Sequence, residues 1–310
     1  MPELPEVETI REGLDEVLRG KRIKRFSVTL RGLFTVLKPA KRKELAGSRV
    51  TGVDRRGKAL LIRLAGGRGI SSGRTIVIHL KMTGQLIFRD APGGRGGGRI
   101  ILAGGHPIPA VGNGHPDGMQ LPGKVTHAVF TFTDGSRLFY NDLRQFGYLK
   151  LMPTDAVEEL PFIKSLGPEP LERSFSPAAF DALLRRRPKA KLKPLLLDQT
   201  VIAGLGNIYV DEALNLARLH PLRTTGSLTE AQRKELHRAI KKILRASLRA
   251  GGTSDNTYVT IRGARGDYLR RARVYHRVGE PCRRCGTAIK RVAVAGRGTH
   301  FCPRCQRPPR

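Results

Sequence analysis

Two residues at the start of this chain have the types and the place to do covalent chemistry. The chain opens Met-Pro-Glu-Leu-Pro-Glu-Val-Glu-Thr-Ile, so loss of Met1 leaves Pro2 with a free secondary amine. An α-amino group titrates at about 7.7–8, which keeps a useful fraction neutral and nucleophilic near pH 7. Such an amine attacks a carbonyl-type carbon and forms a Schiff base, as catalytic lysines do. From a secondary amine the product is a charged iminium with no further proton to lose. Glu3 adjoins it as a candidate acid–base group. The stretch also reads as a helix start. Pro5 suits a first turn, and Glu3, Glu6 and Glu8 complement the positive end of the helix dipole. Val7, Ile10, Leu14 and Val17 recur at helical spacing until Gly20. Helix initiation accounts for the residues from Pro5 onward, but not for a second proline and a carboxylate at the extreme end.

A metal site is written at the other end. Cys282, Cys285, Cys302 and Cys305 are the four cysteines of the chain, spaced C-x2-C, sixteen residues, C-x2-C. This spacing lies within the range of structural zinc sites. Two disulfides are the competing pattern, set against the absence of a secretion signal. Four thiolates around one zinc leave a local charge of about −2, which Arg283, Arg284, Lys290, Arg291 and Arg304 are close enough in sequence to offset.

Between these ends lie residues suited to anion binding. Gly204-Leu205-Gly206-Asn207 precedes a helical pattern, and the exposed N–H groups of a new helix start form an anion site. The same glycines also fit an ordinary helix–helix turn. Arg55-Arg56-Gly57-Lys58 leads into an apolar strand; Lys58 reads as a point charge for phosphate or as part of a solvated face. Met82 ends another strand near a turn. Arg144 and Phe146 sit two apart, on one side of an extended segment. Met and Phe usually belong to a core, but in nucleic-acid proteins they also serve as wedges between bases.

The elements that must carry these residues change type along the chain. Ile23–Leu30, Ala59–Leu64, Thr75–Leu80, Ala128–Thr133, Arg137–Tyr140 and Tyr148–Met152 read as short strands, with Thr133-Asp134-Gly135-Ser136 as a hairpin turn. Strands without intervening helices predict a β-sandwich. Residues 91–123, rich in Gly and Pro, read as a long flexible surface insertion in which Arg95 and Arg99 could brush a phosphate backbone. After a Pro-rich linker the period becomes helical, over Pro177–Arg187, Lys193–Gln199, Asn207–Leu219 and Thr229–Ala250. Ser227 or Thr229 is the candidate cap of the last helix, and Gly251-Gly252 its stop. The expected domains are therefore 1–152, 153–277 and 278–310. A formal charge of +31, from 57 Lys+Arg against 26 Asp+Glu, makes nucleic acid the leading partner. No long apolar run or signal peptide points to a membrane, and no heptads or repeats demand assembly. A cytoplasmic, nucleoid-associated monomer is expected.

Taken together and in order, Pro2-Glu3-Leu4-Pro5-Glu6-Val7-Glu8-Thr9, Lys58, Gly204-Leu205-Gly206-Asn207-Ile208-Tyr209 and the four-cysteine finger closely resemble the bacterial formamidopyrimidine-DNA glycosylase family, also called 8-oxoguanine DNA glycosylase/AP lyase. The resemblance runs almost end to end, apart from 91–123. It implies an α+β multidomain protein: an N-terminal β-sandwich with flanking helices, a helix–two-turns–helix domain and a C-terminal β-hairpin zinc finger with one structural Zn2+. It implies damaged double-stranded DNA as the partner, Pro2 as nucleophile and Glu3 as proton donor. Lys58 and the finger's Arg297 complete the catalytic set as phosphate-gripping cations. Asn207, Gly206 and His127 then fall in the DNA interface, while Met82, Arg144 and Phe146 fill the gap left by the extruded base. The implied reaction removes oxidised purines and cleaves the strand by β,δ-elimination. Gln145 departs from the second Arg that many members carry. The loop at about 253–273 corresponds to the one that in the family covers the flipped base. Two alternatives remain: the same scaffold acting on oxidised pyrimidines, as in the endonuclease VIII branch, and a non-catalytic lesion-binding protein. Leu4 favours the purine branch by resemblance.

Overall fold

A computed structural model of the chain describes residues 1–28, 45–67, 73–94, 96–105, 120–253 and 266–308. The chain divides into two compact units, Met1–Lys164 with Gly251–Gly266, and Ser165–Ala250 with Asp267–Arg310.

The first unit opens with helix α1 (Leu4–Leu18), entered through Glu3 as N-cap. Its apolar stripe, Val7, Ile10, Leu14 and Leu18, is buried. The strands are β1 (Ile23–Val28), β2 (Arg49–Arg56), β3 (Ala59–Ala65), β4 (Arg74–His79), β5 (Gly84–Arg89), β6 (Ile100–Gly105), β7 (Thr126–Phe132), β8 (Arg137–Asp142) and β9 (Tyr148–Pro153). They form two antiparallel sheets, ordered β1-β7-β8-β5-β6 and β2-β3-β4-β9. One core joins both sheets and α1: Leu60, Ile62 and Leu64 of β3 share it with Leu86 and Phe88 of β5 and with Leu14. The alternate residues of β3, Ala59 and Leu61, face a second cluster with Val157 and Ile163, the latter on the short helix α2 (Pro161–Lys164). This period of two is what a sheet covered on both faces requires. The expected β-sandwich is thus present.

Part of the expected insertion is structured. Ile100–Gly105 is a strand paired along β5 from Gln85 to Arg89, with Leu102 fully buried. Glycine composition concealed it. Gly104 is needed because a Cβ there would lie 2.6 Å from Ile10 Cγ1, and Gly105 sits at φ +119°. Arg95, residues 106–119 and Leu30 at the end of the first expected strand lie outside the described residues.

The second unit is helical, then a hairpin. Its elements are α3 (Pro177–Arg185), α4 (Leu192–Leu197), α5 (Asn207–Leu216), α6 (Glu230–Arg249), α7 (Tyr268–Arg271), β10 (Lys290–Val294) and β11 (Arg297–Phe301). Thr229, not Ser227, caps α6, in a capping box with Gln232. Gly251 and Gly252, at φ +71° and +85°, follow its end. Leu236, Ile240, Ile243 and Leu244 of α6 pack with Tyr209, Val210 and Ala213 of α5.

Candidate active site

Pro2 is buried at the mouth of α1 while Met1 is half exposed. The geometry around it is set by Glu6, which the sequence marked only as a dipole-complementing residue. Glu6 is 3 % exposed; its Oε2 accepts the N–H of Glu3 at 2.9 Å and its Oε1 accepts the N–H of Thr253 at 2.8 Å. One carboxylate therefore fixes the residue after Pro2 and anchors the segment leading into 254–265, which lies outside the described residues. Glu3 is itself 5 % exposed.

Lys58 follows Gly57, at φ +57°, in the tight β2–β3 turn. Arg55 braces that turn: its Nη1 donates to Gly57 O at 2.7 Å, and its Nε bonds Glu8 of α1 at 2.8 Å. The helix that begins beside Pro2 thus also supports the turn carrying Lys58. Register places Ala59 opposite His79, and His79 opposite Tyr148. Lys81 and Lys150 both stand over the Tyr148 ring, at 5.8 and 5.5 Å. The end of the four-stranded sheet is accordingly a cationic cluster of Lys58, Lys81 and Lys150 around two polar rings. Burial, with Lys81 and Lys58 nearby, pushes the His79 imidazole down to about 3. Its Nδ1 accepts the Lys81 N–H at 3.1 Å, as a neutral ring can. Burial also pushes the Tyr148 phenol up to about 12, so it stays a donor. Sequence reading missed His79, Lys81, Tyr148 and Lys150; alternation along β4 and β9 was the available signal.

Met82 and Phe146 lie on two loops at the end of their strands and are 37 % and 54 % exposed. The Arg144 guanidinium lies 4.7 Å from the Phe146 ring centre. His127 is placed differently: it is 1 % exposed and its Nε2 donates to Asp142 O at 2.7 Å. Its ring lies inside the sheet, beneath the loop that carries Arg144.

In the second unit, Gly204 at φ +84° and the extended Gly206 bring the chain into α5. Gln199 holds the turn by accepting from Gly204 N and donating to Leu205 O. Asn207 is the first residue of α5, and its Nδ2 donates to Gly298 O at 2.9 Å. Arg297, exposed, precedes that glycine, so Asn207 and Arg297 share one edge. The next turns of α5 continue the docking. Asp211 accepts from Lys193 Nζ and from His300 N at 2.9 Å, and Asn215 donates to Gln306 Oε1 at 2.8 Å. Residues 207, 211 and 215 lie on one helix face. Burial pushes the Glu212 carboxyl up, while the N–H groups of Arg273, Val274 and Tyr275 bond to it.

The four cysteines are unbridged, and their Sγ atoms lie within 4.8 Å of one another. A tetrahedral Zn–S distance of about 2.3 Å requires sulfur separations of about 3.8 Å, so the donor set fits zinc. All four positions are protein ligands, which suits a structural metal and leaves none for a substrate.

Comparison with known proteins decides the family. Residues 1–149 match the formamidopyrimidine-DNA glycosylase N-terminal domain, residues 166–259 its H2TH domain, and residues 279–308 the zinc finger found in FPG and IleRS. The chain belongs to the formamidopyrimidine-DNA glycosylase family. It is 43 % identical to the formamidopyrimidine-DNA glycosylase of Heliobacterium modesticaldum, over 99 % of this chain and 100 % of the relative. The Lactococcus lactis Fpg bound to abasic-site DNA superposes with a TM-score of 0.81 at 35 % identity, covering 99 % of this chain and all of that one. MutM bound to carbocyclic 8-oxo-G DNA gives 0.80 at 34 %, with the same coverage. As a formamidopyrimidine-DNA glycosylase, the chain is a DNA glycosylase and AP lyase of base excision repair with a structural zinc finger. No helix among the described residues is long and apolar enough to cross a membrane.

Proposed function

We propose that this enzyme excises oxidised purines, 8-oxoguanine and formamidopyrimidines, from double-stranded DNA through a Schiff base on Pro2. The observation that carries the reading is the Pro2–Glu3 pair, held at the mouth of α1 by the bridging carboxylate of Glu6. The binding of abasic-site and 8-oxo-G DNA by relatives of the same fold supports the substrate class.

The steps follow from the residues. Lys58, Asn207 and Arg297 hold phosphates, giving affinity that falls with salt. Turning the damaged nucleotide out of the stack costs a few kcal/mol, offset by Met82, Arg144 and Phe146 refilling the gap. The neutral Pro2 amine attacks sugar C1′ while Glu3 protonates the ring oxygen, and the base leaves. The resulting iminium draws electrons from the adjacent C–H bond. Loss of that proton expels the 3′ phosphate, and a second elimination expels the 5′ phosphate. The finger zinc, when bound, supplies fold to Arg297 and takes no part in bond breaking. We further propose that the enzyme acts as a monomer in the bacterial cytoplasm, associated with the nucleoid, and that 1–152, 153–277 and 278–310 are its functional domains. The cationic sheet end of Lys58, Lys81 and Lys150 extends the phosphate contacts beyond those read from sequence.

Base release from matched duplexes carrying 8-oxoguanine, formamidopyrimidine or thymine glycol tests the assignment. Release of the two purine lesions in preference to thymine glycol is expected, with Pro2→Gly and Glu3→Gln inactive. Preferential release of thymine glycol, or an active Pro2→Gly variant, would overturn it.

A further inference from the structure

The gap-filling side chains belong to two loops of the first unit. Met82 sits in the connection between β4 and β5, and Leu143, Arg144 and Phe146 in the connection between β8 and β9. Leu143 is 53 % exposed, a further apolar side chain on the same tip. Each loop also contains a non-glycine residue in the left-handed region, Lys81 at φ +50° and Gln145 at φ +58°. L residues hold that conformation only where their surroundings enforce it.

A buried carboxylate ties the two loops together, while His79 Nδ1 holds the Lys81 N–H in the first of them. Asp142, the last residue of β8, is 0 % exposed. Its Oδ1 accepts the Thr83 hydroxyl, from the residue after Met82. Its Oδ2 accepts the N–H of Gly147, the residue after Phe146, at 2.7 Å, and the Tyr140 hydroxyl at 3.2 Å. Thr83 completes the link, because its Oγ1 accepts the N–H of Arg144 at 2.9 Å. Tyr140 remains a donor, since burial and the Asp142 charge push its titration upward. Position 147 has no room for a side chain: a Cβ on Gly147 would lie 1.9 Å from the Tyr140 hydroxyl and 2.8 Å from His79 O. Both loops are thus closed onto one carboxylate at the level of the sheet, and only their tips reach solvent.

We propose that Asp142 and Thr83 are positioning residues for base extrusion: they lock the two loops so that Met82, Leu143, Arg144 and Phe146 enter the DNA stack as one preshaped wedge. The proposal rests on the gap-filling reading of these loops given above. A preshaped wedge meets the cost of unstacking without first ordering itself, so the device acts on extrusion and leaves phosphate binding alone.

The test compares Thr83→Val, which keeps the side-chain shape without its hydroxyl, with Thr83→Ser, which retains the hydroxyl. Asp142→Asn, which turns one acceptor into a donor, and Phe146→Ala complete the set. The substrate is an 8-oxoguanine duplex with 2-aminopurine beside the lesion, whose fluorescence reports unstacking independently of bond cleavage. Equilibrium binding to an undamaged duplex and single-turnover base release are measured in parallel. Undamaged-duplex binding should stay within about twofold of the parent in Thr83→Val and Thr83→Ser, since neither change removes a side chain assigned to DNA contact. Unstacking and base release should slow by about tenfold or more in Thr83→Val and Asp142→Asn. Thr83→Ser should recover to within about threefold. Three results overturn the proposal: unstacking by Thr83→Val at the parental rate while Phe146→Ala is slow; Thr83→Ser as slow as Thr83→Val; or undamaged-duplex binding falling in step with base release, the mark of a general loss of fold. Normal unstacking by Phe146→Ala would instead remove the gap-filling reading itself, and the proposal with it.

Discussion

Two residues at the site combine structural and chemical roles. Glu6 joins the N–H of Glu3 to the N–H of Thr253, one bond to each carboxylate oxygen. Glu6→Gln retains one acceptor and must leave the other N–H facing an amide donor. That costs about 1–3 kcal/mol of stability in urea melts, and base release should fall with it. From sequence, Glu6 showed only its charge near a helix start, because its partner is 247 residues away. His79 gives a pH prediction. Its folded-state value of about 3 lies below the ordinary 6.5, so between those values the unfolded chain binds the extra proton. The stability it confers is complete above about pH 6.5 and declines as pH falls toward 3. Acidification from pH 7 to 5 should cost about 1 kcal/mol more in the parent than in a His79→Gln variant, allowing for partial solvent access. Equal losses in paired denaturation curves would refute the assignment.

At the scale of elements, helix α5 is the organiser of the second unit. Its residues at every fourth position, Asn207, Asp211 and Asn215, reach the hairpin at Gly298, His300 and Gln306. Gln306 also accepts from Cys302 N and donates to Leu219 O. Gln306→Ala leaves buried partners unmet, at about 1–3 kcal/mol each. Thermal melts should show the loss, and binding to duplex DNA should weaken while zinc stays at one per chain. Loss of zinc from that variant would mean that the ligands, and not the docking, had failed. Helices α3 to α6 were legible because each carries its own apolar stripe; the one-turn α7 falls in a stretch read from sequence as loop, and the choice of Thr229 over Ser227 as cap came from the structure. The ladder from α5 to the hairpin was not legible, since polar side chains 91 residues apart leave no local pattern. The strand Ile100–Gly105 was hidden for a different reason: its glycines serve close packing against Ile10 and Gly84, yet in composition they resemble a loop. The zinc motif was read directly, because paired C-x2-C spacings carry their chemistry in sequence order alone.

The molecule as a whole carries a formal charge of +31, and its cationic residues recur at the turn of Lys58, the end of β4 and the edge holding Arg297. Binding to undamaged duplex should therefore weaken linearly in log affinity against log salt. Lys58→Ala should reduce the slope by about one unit, checked by titrations at several salt concentrations; an unchanged slope would exclude Lys58 from the phosphate contacts. Chelation of zinc should weaken DNA binding by disordering the hairpin that carries Arg297, with circular dichroism separating local from global loss. In the mechanism proposed above, all of these effects serve one covalent event at Pro2. The most direct test is borohydride reduction during turnover on a duplex containing 8-oxoguanine, followed by mass analysis of the digested adduct. The account predicts one chain per DNA strand, with Met1 absent and deoxyribose bonded to the Pro2 nitrogen. Efficient strand cleavage by that processed protein with no adduct, or with an adduct on a lysine, would contradict it.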